Sequence, residues 1–132
     1  MNLDCFGSSA RLHHIGVAVN SIQEIYPTCR VTHDAIQGVN VAFVSVNGCC
    51  WELIEPAMED SPVSLSLNKG VKLLHICYEV NDIEASLHRC RQHGFHIIRH
   101  PSPATAFDMR RIAFVSSPTF GLVELLEIAR YE

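Results

Sequence analysis

The chain has 132 residues, of which 48% are hydrophobic and 18% charged, the composition of one soluble globular domain with a sizeable core. Its net charge of −4 and the lack of a basic run argue against nucleic acid as a partner. No apolar run is long enough to span a membrane and no signal-peptide pattern opens the chain, so we expect a cytoplasmic protein without a membrane partner.

The first half of the chain predicts one short helix and four strands in the order βαβββ. Ser21 begins a capping box that opens the helix, and Pro27 ends it within two turns. Asn47 and Gly48 form the dipeptide typical of a two-residue hairpin turn. The predicted strands of this half are Leu12–Val19, Val31–Ile36, Val39–Val46 and Cys50–Ile54.

A connector and a second copy of this order complete the chain. Ser61 and the proline after it favour the start of a short linking helix that Gly70 ends. Asp82 or the asparagine before it caps a longer helix, which runs to about His93 and ends at Gly94. The predicted strands are Lys72–Val80, Phe95–Arg99, Arg111–Val115 and Leu122–Ile128, with a polar loop over Pro101–Asp108.

These elements predict an α+β fold built from two βαβββ modules, with the helices covering one face of each sheet. We expect a single domain over residues 1–132, made of a module at 11–56, a linker at 57–70 and a module at 71–130. Met1–Ala10 carries no pattern, and we expect it to be a loose lead-in.

The two halves share sequence as well as element order. Aligning His14 with His75, an offset of 61 residues (75 − 14 = 61), also aligns an isoleucine, a valine and an asparagine that follow in each copy. Two further segments match in the same order: Val41–Val46 with Ile112–Ser117, and Glu52–Glu55 with Glu124–Glu127. Three matched segments in one order indicate an internal duplication, in which each half contributes one His and one Glu at the same structural place.

The four duplicated side chains predict a metal site. Strand alternation places His14 and His75 on the face opposite the branched apolar residues, which should pack on the helices. Glu52 and Glu124 lie among apolar neighbours, where a lone charge would be costly. A divalent cation would offset that cost, and mixed nitrogen and oxygen ligands suit Zn, Co, Ni, Mn or Fe better than Ca or Mg.

Simpler interpretations of these residues stay open. A histidine on a strand is most often a structural residue, and either glutamate could point to solvent. Glu55 and Glu127 fall on the opposite strand face, and we expect both to point to solvent. The six cysteines include no C-x-x-C pair and are interpreted as reduced, mostly structural thiols. Cys49 and Cys50 are the one pair whose reactivity stays open.

At these residues the chain resembles the vicinal oxygen chelate superfamily, which includes glyoxalase I, extradiol dioxygenases, methylmalonyl-CoA epimerase and bleomycin-resistance proteins. The resemblance covers nearly all of Leu12–Ile128 and implies the glyoxalase-like fold of that superfamily. The segments most similar to the epimerase branch are Leu12–Val19, Glu52–Pro56, Leu74–Val80 and Gly121–Glu127.

The resemblance implies a ligand set and a common chemical step. By motif position the ligands of one divalent transition metal would be His14, Glu52, His75 and Glu124. The metal would stabilise an enolate while a carboxylate moves a proton beside a carbonyl, with Glu124 as the first candidate base and Glu52 as the second. An epimerase needs a second base, for which only Asp34 is available near the hairpin of the second and third predicted strands, where it could equally be a solvated turn residue.

One segment departs from the epimerase pattern. A Gly-rich loop is expected before the final strands, and Ala104–Arg111 stands there instead. Arg110 and Arg111 would suit a phosphate or carboxylate, or form an exposed pair at a strand edge. Phe107 and Met109 would cap the pocket or fill the core.

We therefore expect a metal-dependent isomerase or epimerase, similar to methylmalonyl-CoA epimerase, acting on a small-molecule acid such as a CoA thioester, in a homodimer. The alternatives are a glyoxalase I-like lactoylglutathione lyase and a non-catalytic small-molecule-binding protein of the bleomycin-resistance type. Two His and one carboxylate would also suit an Fe(II) dioxygenase, but Glu52 as a fourth ligand counts against it.

Overall fold

The computed structural model describes residues 4–129. In this range the chain forms eight strands, three α-helices and one 3₁₀ turn, and it contains no helix long and apolar enough to cross a membrane. The predicted α+β class and the repeated βαβββ order are confirmed. The elements are β1 (Arg11–Ala18), α1 (Ile22–Ile25), β2 (Thr32–Asp34), β3 (Val39–Val46), β4 (Cys49–Pro56), α2 (Pro62–Asn68), β5 (Leu73–Val80), α3 (Ile83–Gln92), β6 (His96–Pro103), the 3₁₀ turn (Thr105–Phe107), β7 (Arg111–Ser117) and β8 (Gly121–Glu127).

The chain divides into two compact units. The first unit is His14–Leu74, and the described residues of the second unit are 4–13 and 75–129. The predicted module and linker boundaries at residues 11, 56, 57, 70 and 71 stay predictions, and the remaining predicted boundary, Arg130, lies outside the described residues.

The first unit orders its strands β2-β3-β4-β1. The strands β2, β3 and β4 are antiparallel neighbours, and β1 runs parallel to β4. Asn47 and Gly48 adopt φ angles of 51° and 81°, as the predicted two-residue hairpin turn requires. The Ser21 side chain accepts a hydrogen bond from the Glu24 amide and caps α1, and Ile22 of that helix packs against Leu53. The apolar strand face therefore packs on the helix, as predicted.

The second unit repeats this plan with the order β5-β8-β7-β6. Asp82 caps α3 by accepting a hydrogen bond from the Ala85 amide at 3.0 Å. One side of α3, with Ile83 and Leu87, packs on the branched residues of the strands beneath it. The same strand order and the same helix position in both units are the structural counterpart of the duplicated sequence.

The expectation of a loose lead-in is wrong for residues 4–10. Cys5 is buried, and the Phe6 ring stacks on Tyr78 with ring centroids 4.9 Å apart. The Ser86 hydroxyl of α3 donates a hydrogen bond of 2.7 Å to the Phe6 carbonyl. Two apolar side chains without any periodic pattern are enough to fix this segment on the second unit. The first three residues of the predicted lead-in lie outside the described residues.

The predicted polar loop over Pro101–Asp108 is also partly wrong. Strand β6 continues to Pro103, which stands opposite Arg111, with register irregularities before and after Arg99. Because β6 is the outermost strand of its order, prolines do not interrupt any pairing on its outer side. Asp108 and Met109, both with positive φ angles, then turn the chain into β7.

Candidate functional site

The first unit brings His14 and Glu52 together. Gly16 of β1 stands opposite Glu52 of β4, and His14 lies two residues before Gly16, on the same strand face. The His14 Nε2 and Glu52 Oε1 atoms are 3.2 Å apart. His14 has no exposed surface and Glu52 is 5% exposed, so both polar groups are withdrawn from water. The Phe43 ring meets the imidazole edge-on, with centroids 5.6 Å apart.

The second unit repeats the arrangement with His75 and Glu124. Cys77 of β5 stands opposite Glu124 of β8, and His75 again lies two residues earlier. The His75 Nε2 and Glu124 Oε1 atoms are also 3.2 Å apart, and both residues are buried. Phe114, the duplicate of Phe43, packs edge-on against the imidazole at 5.7 Å. The sequence reasoning did not single out the two phenylalanines, although the matched segments around them contained the signal.

Each pair offers one nitrogen and one oxygen donor to a metal ion. Burying a carboxylate is costly unless a charge or hydrogen-bond donor compensates it. An imidazole alone compensates a buried carboxylate only modestly, whereas a divalent cation can be coordinated by the imidazole nitrogen and the carboxylate oxygen together. The donor chemistry of both pairs therefore fits the predicted transition metal.

The strand face that carries the histidine in each unit is called the His face below. In the second unit this face holds Cys77 and a tightly packed apolar group beside it. Phe107 is buried in that group and its ring also meets His13 edge-on at 5.7 Å. Met109 is 57% exposed. Both residues were predicted either to cap the pocket or to fill the core. Phe107 fills the core, whereas Met109 does not.

Asp34 is held by the turn between β2 and β3. Its side chain is buried and accepts hydrogen bonds from the Ile36 amide at 3.0 Å and the Gln37 amide at 3.1 Å. The Gln37 side-chain amide donates a third, of 2.7 Å. This is the pattern of an Asx turn, in which the side chain shapes the backbone. The expectation of a solvated turn residue is wrong, and the catalytic role of Asp34 stays a prediction.

Arg110 and Arg111 are engaged in ion pairs. Arg110 reaches Glu79 at 2.5 Å and donates to the Glu127 carbonyl at 2.8 Å. Arg111 lies 2.7 Å from Glu84 and 2.5 Å from the Glu127 carboxylate. Hydrogen bonds to these two carboxylates raise the pKa of Arg111 above its ordinary value. The alternative of an exposed pair at a strand edge is therefore wrong, since both arginines are half-buried and paired with acidic side chains of their own unit. Binding of an external phosphate or carboxylate by either arginine stays a prediction.

The two glutamates expected at the solvent also have structural partners. Glu55 accepts a hydrogen bond of 2.8 Å from the Ile22 amide at the start of α1, and another from the Asn40 side chain at 3.1 Å. Glu127 pairs with Arg111, as described above. The expectation of solvent exposure is wrong for both, because each carboxylate satisfies groups at the edge of its own unit.

All six cysteines are free thiols. Burial, followed by the neighbouring Glu52, raises the pKa of the Cys50 thiol. A raised pKa lowers the fraction of reactive thiolate. The environment of Cys50 therefore makes it less reactive than an ordinary surface thiol.

Comparison with known proteins places this geometry in a family. Residues 13–114 match the family model described as the glyoxalase/bleomycin resistance protein/dioxygenase superfamily. The chain belongs to this superfamily. Its α+β architecture is the fold of that superfamily, as the resemblance implied.

Several relatives in the superfamily are similar over most of the chain. An uncharacterized protein of Bacillus subtilis is 36% identical over 129 residues, covering 89% of this chain and 91% of that protein. An ethylmalonyl-CoA/methylmalonyl-CoA epimerase of Cereibacter sphaeroides is 29% identical over 131 residues, covering 89% and 98%. A methylmalonyl-CoA epimerase of Streptomyces coelicolor, solved as a point variant in complex with 2-nitronate-propionyl-CoA, superposes with a TM-score of 0.69 at 26% identity, covering 92% and 96%.

Proposed function

We propose that the protein is a metal-dependent epimerase that moves a proton on the carbon beside the carbonyl of a coenzyme A thioester. The observation that carries the proposal is the duplicated, buried His–Glu pair, with its two nitrogen–oxygen distances of 3.2 Å. The epimerase names of the sequence and structural relatives support the reaction type and the thioester substrate. Methylmalonyl-CoA is the specific substrate we propose.

The proposed metal site uses both pairs. One divalent ion, Co, Ni, Zn, Mn or Fe, would be held by His14, Glu52, His75 and Glu124, drawn from one chain or from two copies in a homodimer. When bound, such an ion supplies Lewis-acid polarisation of substrate oxygens and stabilises negative charge that develops there. The surrounding apolar residues exclude water, which strengthens every charge interaction inside the site.

The proton would be moved by the chain's own carboxylates. Glu124 is the proposed base, and its buried position keeps water from competing for the proton. Glu52 is the corresponding group of the other pair. Epimerisation requires that a proton leaves one side of the carbon and returns on the other, so two groups must act. Asp34 is the alternative second group, provided that it can exchange protons while it holds its turn.

Metal analysis beside solvent exchange tests the proposal. Wild-type protein should hold close to one equivalent of a transition metal per proposed site and should catalyse deuterium incorporation from D₂O into methylmalonyl-CoA. The double variant His75→Ala, Glu124→Ala should lose both properties. His88→Ala, on the exposed side of α3, is the matched control and should keep both.

Two outcomes would contradict the proposal. A wild-type protein that holds no metal after reconstitution would leave a small-molecule-binding protein as the better account. A metal-loaded protein that exchanges no deuterium, but isomerises the thiol adduct of methylglyoxal and glutathione, would support the lyase alternative.

A further inference from the structure

One transverse row of residues crosses the His face of the second unit. Cys77 stands opposite Glu124, Glu124 opposite Phe114, and Phe114 opposite Arg99. Directly opposed residues on neighbouring strands project from the same face of a sheet. Arg99 of β6 therefore lies on the same face as the His75–Glu124 pair.

The spacing of the row suits one small molecule. Neighbouring strands lie about 4.8 Å apart, so the Cα atoms of Arg99 and Glu124 are roughly 10 Å apart across two strand steps. An extended arginine and an acyl group together can span that distance, with the Phe114 ring between them. The register irregularities on both sides of Arg99 are typical of places where a strand redirects a side chain.

No acidic side chain within residues 4–129 compensates the charge of Arg99. Arg99 is half-buried, and among residues 4–129 it has no hydrogen-bond or ion-pair partner. Arg110 and Arg111 of the same unit, by contrast, are each neutralised by acidic side chains. A partly buried guanidinium without a partner is costly, and an anion that binds there removes the cost.

A second donor stands one row further along. Ser102 lies opposite Ile112, and Ile112 opposite Leu126, so these residues also share the His face. The Ser102 hydroxyl oxygen is buried and has no hydrogen-bond partner within the described residues. Ile112 and Leu126 belong to the apolar group around Phe107. A buried donor without a partner, next to an apolar floor, is typical of a ligand site.

We infer that Arg99, with Ser102 as a second donor, binds an oxyanion of the substrate. This inference rests on the proposed epimerase function. The guanidinium offers a planar fork that matches a carboxylate or a phosphate, and the hydroxyl donates to another oxygen of the same group. A thioester of the proposed class carries both anions, a carboxylate on its acyl group and phosphates on its carrier. Arg99 thus orients the substrate relative to the carboxylate of Glu124.

Binding measurements on the metal-loaded protein test the inference. Arg99→Gln is compared with Arg91→Gln, an exposed arginine of α3 that lacks a partner among the described residues. Three probes separate the anions: methylmalonyl-CoA has both, S-methylmalonyl-pantetheine has only the carboxylate, and propionyl-CoA has only the phosphates. A hydrogen-bonded charge pair contributes enough that Arg99→Gln should weaken Kd by roughly 10- to 100-fold for the probe with the bound anion.

The pattern across the probes identifies the anion. Weaker binding of S-methylmalonyl-pantetheine with unchanged propionyl-CoA assigns Arg99 to the acyl carboxylate, and the reverse pattern assigns it to the carrier phosphate. Arg99→Lys, which keeps the charge but not the fork, should restore part of the affinity. Ser102→Ala should weaken the same probe by a smaller factor.

Two results would overturn the inference, and they are distinguishable. If wild-type protein binds the probes and Arg99→Gln, folded by circular dichroism, binds them as tightly as Arg91→Gln, Arg99 has no role while the proposed function stands. If wild-type protein holds metal but binds none of the probes, or holds no metal, the proposed function fails and the inference with it.

Discussion

The two units keep the same pair of side chains and differ in what surrounds it. In the first unit Gly16 stands opposite Glu52, whereas in the second unit Cys77 stands opposite Glu124. On the next strand, Phe43 stands opposite Glu52 in the first unit, and its duplicate Phe114 stands opposite Glu124 in the second. Beyond that point the units diverge most. Both copies retain the His–Glu geometry, so the pair is the common requirement and the remainder of the face is free to specialise.

The divergence is clearest at the outer strand. Thr32 of β2 stands opposite Val41, and this is the pairing that Ser102 and Ile112 make in the second unit. By the same register, the first-unit counterpart of Arg99 is Arg30. Arg30, however, precedes β2 and is exposed. The second unit therefore keeps its arginine within a strand, in the same row as Glu124, while the first unit does not.

Removing either pair should have the largest effect. The double variants His14→Ala, Glu52→Ala and His75→Ala, Glu124→Ala should each lower metal affinity by more than about 100-fold, since changes merely next to a ligand already cost up to that factor. Metal content after dialysis measures the effect. If one double variant keeps stoichiometric metal, the pairs are not equivalent and the four-ligand site is wrong. Mixing the two variants and regaining about a quarter of the wild-type metal would show that two copies share the site, because random exchange forms heterodimers in half of the dimers and each heterodimer has one intact site of two.

The apolar group of the second unit should be the next most sensitive feature. Phe107→Ala removes a buried ring and should lower the free energy of unfolding by about 3 kcal/mol. Urea unfolding measures it. Met109→Ala, two residues away and exposed, is the matched control and should change stability little. Equal effects of the two substitutions would contradict the packing described for this loop.

Asp34 should contribute to stability whether or not it is catalytic. Asp34→Ala leaves the donors of Ile36 and Gln37 without their acceptor and should cost about 2 kcal/mol. Asp34→Asn keeps an acceptor oxygen and should fold nearly as well. If Asp34→Asn unfolds like wild type but loses deuterium exchange into methylmalonyl-CoA, Asp34 is also a base. Full deuterium exchange in that variant would show that Asp34 only stabilises the turn.

Cys90 should produce the smallest effect, one that depends on pH. Burial, then the nearby Cys5, raises the pKa of the Cys90 thiol to about 12 from its ordinary value of 9.0, and Arg89 opposes this shift. Above pH 9 the unfolded chain therefore loses this proton while the folded chain keeps it, so stability falls as pH rises towards 12.

Urea unfolding at about pH 8 and about pH 10 measures the effect of Cys90. Wild type should lose about 1 kcal/mol more than Cys90→Ala over this interval. Cys29→Ala, at a half-buried cysteine of the first unit, should lose stability in parallel with wild type. An equal loss in wild type and Cys90→Ala would contradict the assignment to Cys90.

Local signals predicted most of the elements. The Asn47–Gly48 turn determined the register of its hairpin, and β3 has the bounds that were predicted, Val39–Val46. Caps at Ser21, Ser61 and Asp82 start the three helices as predicted. These signals are local because a turn or a cap is decided within about four residues. Each His–Glu pair was predicted from the duplication, because aligning the two halves shows which residues recur at the same place.

The errors concern contacts between distant segments. Phe6 was missed because its partner Tyr78 lies on β5, far away in sequence, and one aromatic residue in a short segment has no periodicity. The ion pairs of Arg110 and Arg111 were not predicted, because only the fold brings their acidic partners close to them. Arg99 was overlooked for the opposite reason. Its significance is the lack of such a partner among the described residues, which no sequence pattern can reveal.

The irregular strand β6 also bears on how copies of the chain can associate. An outermost strand normally offers a row of free amides and carbonyls to which another chain can add. In β6, Pro101 and Pro103 lack the amide hydrogen, and the register breaks on both sides of Arg99. A further strand would find no continuous ladder there. Strand β6 is thus protected against edge-to-edge aggregation, and the homodimer, which stays a prediction, would form through a different surface.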